Sequence, residues 1–271
     1  MATSDAPIEV GHVTLTVHDL KSVGAFYENV LGLARLSSDG TVARYGADGR
    51  VLVELRADRA ARKASHREAG LFHTAFLMPS RRALADWLDN AVARRAPLQG
   101  ASDHSVSEAI YLADPEGNGV EVYVDRPRDQ WIRMGDQIHM VTEPLDLQDL
   151  HNQRSGKWFG APKGMTIGHV HLQVGGLVPA MDFYGERLGL SVMNDYPGAK
   201  FFGWGGYHHH IATNIWNSRG AGAVSRPATG LSGLTLRGEA KALAALGGAA
   251  TLVDPWGLPV TLKAKEMANA R

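Results

Sequence analysis

The 271-residue chain is long enough for about two domains of roughly 150 residues each. Hydrophobic residues make up 44% and charged residues 21%, which excludes a mainly disordered chain. The 28 Lys and Arg balance the 28 Asp and Glu, so the usual electrostatic reason for binding nucleic acid or an anionic membrane is missing. The absence of cysteine excludes disulfides, thiolate metal sites and a cysteine nucleophile.

The ends of the chain and its apolar runs bear on localisation. Residues 1–7 lack the basic and then apolar pattern of a secretory signal. No apolar run approaches the roughly 18–20 residues that a spanning helix needs. We therefore expect a cytoplasmic protein with no membrane partner. Its 12 histidines are the one compositional feature that needs a chemical explanation.

The chain contains an internal duplication. Residues 11–33 and 168–190 match at 11 of 23 positions, without a gap, at an offset of 157. Each segment opens with Gly-His-Val-x-Leu-x-Val, whose alternation predicts a half-buried strand. A helix follows and ends at Leu-Gly-Leu, where the glycine is typical of a helix C-terminus. We predict an N-terminal domain over 1–126, a polar connecting segment over 127–164 and a C-terminal domain over 165–271.

Each half contains a second unit of the same kind. In the first half, a strand over 71–78 precedes a helix over roughly 82–94 and strands that end near residue 121. The counterpart in the second half runs from 230 to 261. Four such units, arranged two and two, account for nearly the whole chain. This predicts an α+β fold in which the two units of each half pair face to face.

Three residues of the first half suggest a metal site. A non-haem iron(II) site of the facial type needs two His and one carboxylate, and leaves positions open for substrate and O2. His12 and His73 lie in the first strands of units one and two, and Glu121 lies in the last strand of unit two. If these units pair, the three side chains meet at one concavity. Taken singly, each is also accounted for by a core or surface position.

The second half serves as an internal control for this triad. His169 matches His12, but Gly233 and Thr261 stand where His73 and Glu121 stand in the first half. One of the three ligand positions is therefore filled in the second half, against three in the first. We predict the metal site in the N-terminal domain.

The unit layout and two motifs resemble a known family. The Gly-His-Val-x-Leu-x-Val starts and the ending DPEGNGVEVY at 114–123 are similar to the vicinal-oxygen-chelate superfamily. The stretches 101–131 and 205–216 resemble its two-domain, catechol 2,3-dioxygenase-like members. The resemblance implies four βαβββ modules paired into two cupped barrel-like domains. It also implies an Fe(II) or Mn(II) centre, O2 as co-substrate and extradiol cleavage of catechol or a substituted catechol. In the better-known extradiol enzymes the metal lies in the C-terminal domain, whereas the complete triad here is N-terminal.

Two further residues are candidates for catalysis. Tyr111 lies 10 residues before Glu121, a separation that resembles that of the family's active-site tyrosine, and would hydrogen-bond the substrate. His104 is a candidate acid/base, because an imidazole exchanges a proton near neutral pH. A core tyrosine and a loop histidine are the alternatives.

Other residues leave alternatives open. Glu54 aligns with the last strand of unit one, where glyoxalase-type members have a carboxylate as a fourth ligand. An inward Glu54 would favour a glyoxalase-like isomerase or lyase. His209 or His210 could join His169 in a second site, although ordering of the domain by hydrogen bonds is favoured. A non-enzymatic protein that holds a small aromatic ligand is the third interpretation, and homo-oligomerisation stays open.

Overall fold

The computed structural model describes residues 6–265. Residues 1–5, which belong to the stretch used above against a secretory signal, and residues 266–271 lie outside the described part. No helix within residues 6–265 is long and apolar enough to cross a membrane.

Four similar units follow one another along the chain. The first consists of β1 (Ile8–Val17), α1 (Leu20–Asn29), β2 (Ala34–Ser38), β3 (Val42–Ala47) and β4 (Arg50–Ala57). The second consists of β5 (Gly70–Leu77), α2 (Arg81–Ala93), β6 (Gly100–Asp103), β7 (Ser107–Ala113) and β8 (Gly119–Asp125). A connecting stretch contains a 3-10 turn (Arg128–Gln130), β9 (Arg133–Met134), β10 (Gln137–Ile138), β11 (Glu143–Pro144) and α3 (Leu147–Asn152).

The units of the second half are less regular. The third consists of β12 (Thr166–Gln173), α4 (Leu177–Ala180) with a π-helical continuation (Met181–Arg187), β13 (Ser191–Tyr196), β14 (Ala199–Gly203) and β15 (Ile211–Asn214). The fourth consists of β16 (Gly230–Gly238), α5 (Ala240–Ala245), β17 (Thr251–Val253) and β18 (Pro259–Ala264). The α+β fold of strand–helix–strand units is confirmed, and the described part of the fourth unit has one strand fewer than the others.

Side-chain caps and packing explain the first two helices. The Asp19 carboxylate accepts hydrogen bonds from the backbone amides of residues 21 and 22, and Ser80 caps α2 in the same way. Apolar residues at helical spacing face a core that is shared by both halves of the chain, and Tyr27, Phe76 and Trp87 are among its largest fully buried side chains. The core therefore joins the helices to the sheets across the duplication.

Most strands form two large sheets, and β9 and β10 pair separately with each other. The seven-stranded sheet has the order β17-β18-β16-β1-β4-β3-β2. The nine-stranded sheet has the order β11-β6-β7-β8-β5-β12-β15-β14-β13. In each, the first strands of two units pair antiparallel at the centre, β1 with β16 and β5 with β12.

The pairing of the units differs from the prediction. Unit one pairs with unit four and unit two pairs with unit three, so each sheet combines the two halves of the chain. The expectation that the two units of one half share a concavity is therefore wrong. The reason is that all four first strands carry similar alternating patterns, so periodicity does not specify the partner of an open strand edge. The boundaries 1–126, 127–164 and 165–271 stay a prediction about sequence segments, and the sheets cut across them.

Candidate active site

Three neighbouring strands of the nine-stranded sheet bring two histidines and a glutamate together. Ala75 on β5 is in register with Glu121 on β8 at one side and with His169 on β12 at the other. His73 precedes Ala75 by two residues, so its side chain lies on the same face of the strand. The fully buried Ala75 has a small side chain, which leaves space between the three larger ones.

The three side chains are buried and close. His73 Nε2 lies 3.0 Å from Glu121 Oε2, and His169 Nε2 lies 3.3 Å from the same oxygen. Within residues 6–265, neither His73 Nε2 nor His169 Nδ1 has a hydrogen-bond partner of acceptable geometry. Burial alone would raise the pKa of Glu121, but the adjacent His169 and His73 outweigh it and hold that pKa well below its usual range. Burial lowers the pKa of His169 to about 4, which favours the neutral form that binds metals.

This donor set fits a divalent metal ion. One ligand atom from each of the three residues lies within 4.8 Å of the other two. Two imidazoles and one carboxylate are the donors of the facial site of non-haem iron(II) proteins. His73 Nε2 is buried and close to the Glu121 carboxylate, yet forms no hydrogen bond in the described part of the chain. This arrangement is expected when two ligands point to a common metal ion.

A cavity of about 210 Å³ opens above His73, Glu121 and His169, which are called the observed triad, or the triad, from here on. Phe72, Phe201 and Trp216 supply aromatic walls, and a stretch of the connecting segment, residues 140–142, closes one side. Among residues 6–265, none of those lining this cavity is Lys or Arg, and Glu121 is its single carboxylate. His171, two residues after His169, also lines it, and its Nε2 accepts a hydrogen bond from Asn214 at 3.0 Å.

His104 and Tyr111 form a hydrogen-bonded pair at the cavity wall. His104 Nδ1 lies 2.6 Å from the carbonyl oxygen of Val141, and His104 Nε2 lies 2.6 Å from the Tyr111 hydroxyl. A carbonyl only accepts, so Nδ1 carries the hydrogen and, in the neutral ring, Nε2 accepts from the phenol. Burial, with the nearby negative charge of Glu121, raises the pKa of Tyr111 well above its usual value, which keeps the phenol protonated.

The β7–β8 hairpin explains the spacing of Tyr111 and Glu121. The two residues are direct cross-strand partners in the antiparallel ladder. The turn between them is held by Asp114, whose carboxylate accepts from the backbone amides of Glu116 at 2.9 Å and Asn118 at 3.0 Å. The sequence separation of ten residues is therefore the length of a tight hairpin that places Tyr111 directly opposite Glu121.

The histidine run contributes one more cavity residue. His209 lines the cavity, with its ring centroid 4.0 Å from that of His169. Its Nδ1 lies 2.7 Å from His208 Nδ1, and His208 Nε2 lies 2.8 Å from Asp125 Oδ1. The carboxylate thus fixes His208, and His208 in turn orients His209. His210 is buried outside this cavity, where its Nδ1 accepts from the backbone amide of Trp204 at 3.2 Å.

The structure separates His12 from the other two predicted ligands. His12 lies in the seven-stranded sheet, and its Nε2 is 3.3 Å from Thr235 Oγ1 of unit four. The interpretation of His12 as a ligand beside His73 is wrong, because it depended on the pairing of units one and two. The histidine that takes this place is His169, its counterpart in the repeat. The repeat alignment had already identified His169, and only the choice of partner strand was missing.

Glu54 is also far from the triad. It lies on β4 in the seven-stranded sheet, where Arg44 Nε approaches one carboxylate oxygen at 2.7 Å and Arg56 Nε approaches the other at 2.8 Å. Both oxygens are thus bound by guanidinium groups. Glu54 is not a fourth ligand at the cluster of His73, Glu121 and His169.

The fold and this site define the class of protein. Residues 9–122 match the model of the Glyoxalase/Bleomycin resistance protein/Dioxygenase superfamily, and the chain belongs to this superfamily. The chain is also 38% identical, over 234 residues, to a protein of Bacillus subtilis (strain 168) named catechol-2,3-dioxygenase. That match covers 84% of this chain and 81% of the relative.

Solved structures show the same fold at low sequence identity. A putative dioxygenase from Bacillus subtilis superposes with a TM-score of 0.63 at 13% identity, over 94% of this chain and 84% of the other. A glyoxalase I mutant from Zea mays superposes with a TM-score of 0.57 at 15% identity, over 97% of each chain. These two likenesses establish the architecture.

Proposed function

We propose that the protein is an extradiol dioxygenase that cleaves catechol, or a small uncharged alkylcatechol, with O2 and a non-haem Fe(II) ion. The observation that carries this proposal is the convergence of His73, Glu121 and His169 at the base of an aromatic-walled cavity. The similarity to a protein named catechol-2,3-dioxygenase supports it. Mn(II) is the alternative metal, and a cytoplasmic location stays a prediction.

The proposed ligands are His73, His169 and Glu121. These three residues would hold an Fe(II) ion, which would supply the redox chemistry that lets O2 react with the diol ring. The protein itself provides two buried imidazoles and one buried carboxylate, so that the only carboxylate charge among the proposed ligands is that of Glu121. The remaining work of binding, orienting and moving protons is done by the cavity residues.

Two histidines are placed to exchange protons with a bound diol. His104 donates from Nδ1 to the Val141 carbonyl, so Nε2 is the atom that accepts and returns a proton, with Tyr111 as its partner. Tyr111 stays a phenol and can donate its hydrogen to a substrate oxygen or to His104. His209, oriented by His208, faces the cavity from the opposite half of the chain.

The lining of the cavity supports an uncharged aromatic substrate. Phe72, Phe201 and Trp216 offer ring faces and edges for stacking, and within the described residues no cationic side chain lines the space. An anionic ring substituent would lose its hydration without gaining a counter-ion. Catechol or an alkylcatechol fits this environment better than a carboxylated catechol.

The two rival interpretations have less support. Glu54 was the residue that would favour a glyoxalase-like isomerase or lyase, and it is bound by Arg44 and Arg56 in the other sheet. A non-enzymatic aromatic-binding protein does not account for a buried His-His-Glu cluster beneath the cavity. Neither rival is favoured by a specific observation.

The experiment is anaerobic reconstitution with Fe(II), followed by addition of catechol and air. We expect O2 uptake with the appearance of a yellow ring-fission product, and loss of both in Glu121→Ala. Tightly bound iron without product from catechol or from any alkylcatechol would overturn the proposal. In that case, turnover of a thiol hemithioacetal would identify the isomerase instead.

A further inference from the structure

A second concave site lies on the seven-stranded sheet. A cavity of about 600 Å³, here called the second cup, is lined by units one and four. It is the counterpart of the aromatic cavity in the duplicated fold, and the proposed dioxygenase chemistry makes no use of it. We propose that the second cup binds a small organic anion with two or more negative charges, carried by carboxylate or phosphate groups.

The charge of the lining is strongly asymmetric. Among the residues that the structure describes, five Lys or Arg side chains line the second cup, against the single carboxylate of Glu54. The five are Arg44, Arg50, Arg56, Arg237 and Lys263. The aromatic cavity has no cationic lining residue in the described part of the chain. A concave surface lined by charge of one sign concentrates its field and raises the local concentration of counter-ions. The two cups of one fold thus differ in the ligand charge that they favour.

Glu54 holds two of these cations in place. Its buried carboxylate receives Arg44 Nε at 2.7 Å and Arg56 Nε at 2.8 Å. A guanidinium group has five N–H donors, so each arginine retains donors for a second acceptor. Because β4 lies next to β1 and β3 lies next to β4, both guanidinium groups lie on one flank of the central strand. This flank is a preformed pair of donors for an oxyanion.

The other flank offers a second cationic pair. Arg237 on β16 and Lys263 on β18 are register partners in a parallel ladder, so their side chains lie on the same face of the sheet. Next to them, Thr235 and Thr261 are partners in the same ladder and add hydroxyl groups. Cations on both sides of β1 match a ligand with two separated anionic groups.

The floor of the second cup is open where the active site holds its ligands. Gly233 and Thr261 occupy the repeat positions of His73 and Glu121, so the second cup lacks the triad. A Cβ atom at Gly233 would make ordinary contacts, 3.4 Å from Thr14 Cβ. Packing therefore does not require glycine there, and a larger residue would reduce the space for a ligand.

The test is calorimetric titration of the metal-loaded full chain with 2-phosphoglycolate, succinate and inorganic phosphate, with propane-1,2-diol as the uncharged probe. We expect saturable binding of one phosphoglycolate per chain that weakens as salt is added, and no binding of the diol. Succinate and phosphate separate the carboxylate and phosphate contributions. The titration is repeated under anaerobic conditions with catechol present. We expect the same affinity for the anion, because catechol occupies the aromatic cavity and leaves the second cup open.

Two variants and one control locate the binding. Lys263→Glu reverses an exposed charge of the second cup and should weaken binding by about ten-fold or more, which is the effect of about 1.4 kcal/mol. Gly233→Val should weaken it without changing the charge. The control Lys163→Glu changes net charge equally at an exposed residue that does not line the second cup, and should leave the affinity unchanged.

The inference fails if none of the three anions shows saturable binding, if Lys163→Glu weakens binding as much as Lys263→Glu, or if catechol abolishes it. The last outcome would place the anion at the metal centre. None of these readouts uses dioxygenase activity, so failure of this inference is distinguishable from failure of the proposed function.

Discussion

Substitution of Gly168 by alanine tests the packing of unit three against unit two. Gly168 lies on β12 next to His169, and a Cβ atom at this position would overlap the Tyr123 hydroxyl and lie 2.8 Å from Tyr123 Cζ. Tyr123 comes from β8 of unit two, is fully buried, and its hydroxyl is 2.7 Å from that of Tyr207. The ring has to move if a methyl group is added, and the hydrogen bond has to stretch or break.

The cost follows from these contacts. Overpacking of a close-packed core costs about 1–3 kcal/mol. Loss of a buried hydrogen bond adds about 1 kcal/mol. We therefore expect Gly168→Ala to lower the free energy of unfolding by about 2–4 kcal/mol. Adding Tyr123→Phe removes the overlapping oxygen and should give a favourable coupling of at least about 1 kcal/mol between the two substitutions.

Gly11→Ala is the matched control, because Gly11 is the repeat counterpart of Gly168 in the other sheet. A Cβ atom at Gly11 would lie 3.0 Å from Arg237 Nε and from the Thr235 carbonyl oxygen, so smaller shifts accommodate it. We expect a loss of about 1 kcal/mol, as for an ordinary mildly disruptive substitution. The assay is urea unfolding of the four variants and the wild type. Wild-type stability of Gly168→Ala, or strict additivity with Tyr123→Phe, would refute the cross-unit packing described here.

Three further predictions concern chemistry and pH. Tyr111→Phe should lower kcat about 10–100-fold with a small change in KM, because the Tyr111 hydroxyl positions the imidazole of His104 and does not hold the aromatic ring of the substrate. Steady-state kinetics check this prediction, and a change in KM without a change in kcat would contradict it. Because no Lys or Arg among the described residues lines the aromatic cavity, 3,4-dihydroxybenzoate should have a kcat/KM about 100-fold or more below that of 4-methylcatechol, and equal values would contradict the proposed selectivity. Burial, with Lys263, Arg237 and Arg44, lowers the pKa of His12 from 6.5 to about 4, so the unfolded state binds more protons between these values and stability falls as the pH is lowered through that window. In His12→Asn, unfolding experiments between pH 7 and pH 4.5 should show a fall in the free energy of unfolding that is smaller by about 2 kcal/mol, and an unchanged slope would refute the lowered pKa of His12.

Much of the fold could be predicted from the sequence, because the patterns that indicate strands, helix caps and turns involve neighbouring residues. The alternation in β1 and β12, the caps of α1 and α2, and the glycines after the first helix of each half all depend on neighbouring residues. The tight hairpin at Asp114 likewise fixes Tyr111 opposite Glu121 through local hydrogen bonds. These parts of the prediction need no knowledge of which strands meet across the molecule.

The pairing partner of each central strand, by contrast, depends on residues that are far apart in the sequence. β1 pairs with β16, more than 200 residues away, and the same edge pattern on β5 would satisfy its hydrogen bonds and its apolar alternation. The prediction combined His73 and Glu121, which lie together in the structure, with His12 in place of His169. Because the pairing of the strands was predicted incorrectly, His12 and Glu54 were assigned to the metal site, whereas the structure has both in the second cup.

The aromatic walls of the cavity also could not be predicted from local sequence patterns. Phe72, Phe201 and Trp216 lie on three separate segments, and the connecting stretch closes the cavity through residues 140–142. His209 follows the same rule, because its orientation depends on His208 and on Asp125, which lies 83 residues earlier than His208. Side chains that meet through tertiary packing leave no periodic signal along the chain.

The central claim is that His169, and not His12, completes the metal site with His73 and Glu121. The most direct test is anaerobic Fe(II) binding, followed by O2 uptake with catechol, for the wild type, His169→Ala and His12→Ala. Loss of a direct ligand should cost more than the roughly 10–100-fold that loss of an outer-shell partner costs in metal affinity. We predict that His169→Ala loses iron and O2 uptake while His12→Ala keeps both. Retention of iron and activity in His169→Ala, or their loss in a folded His12→Ala, would contradict the assignment.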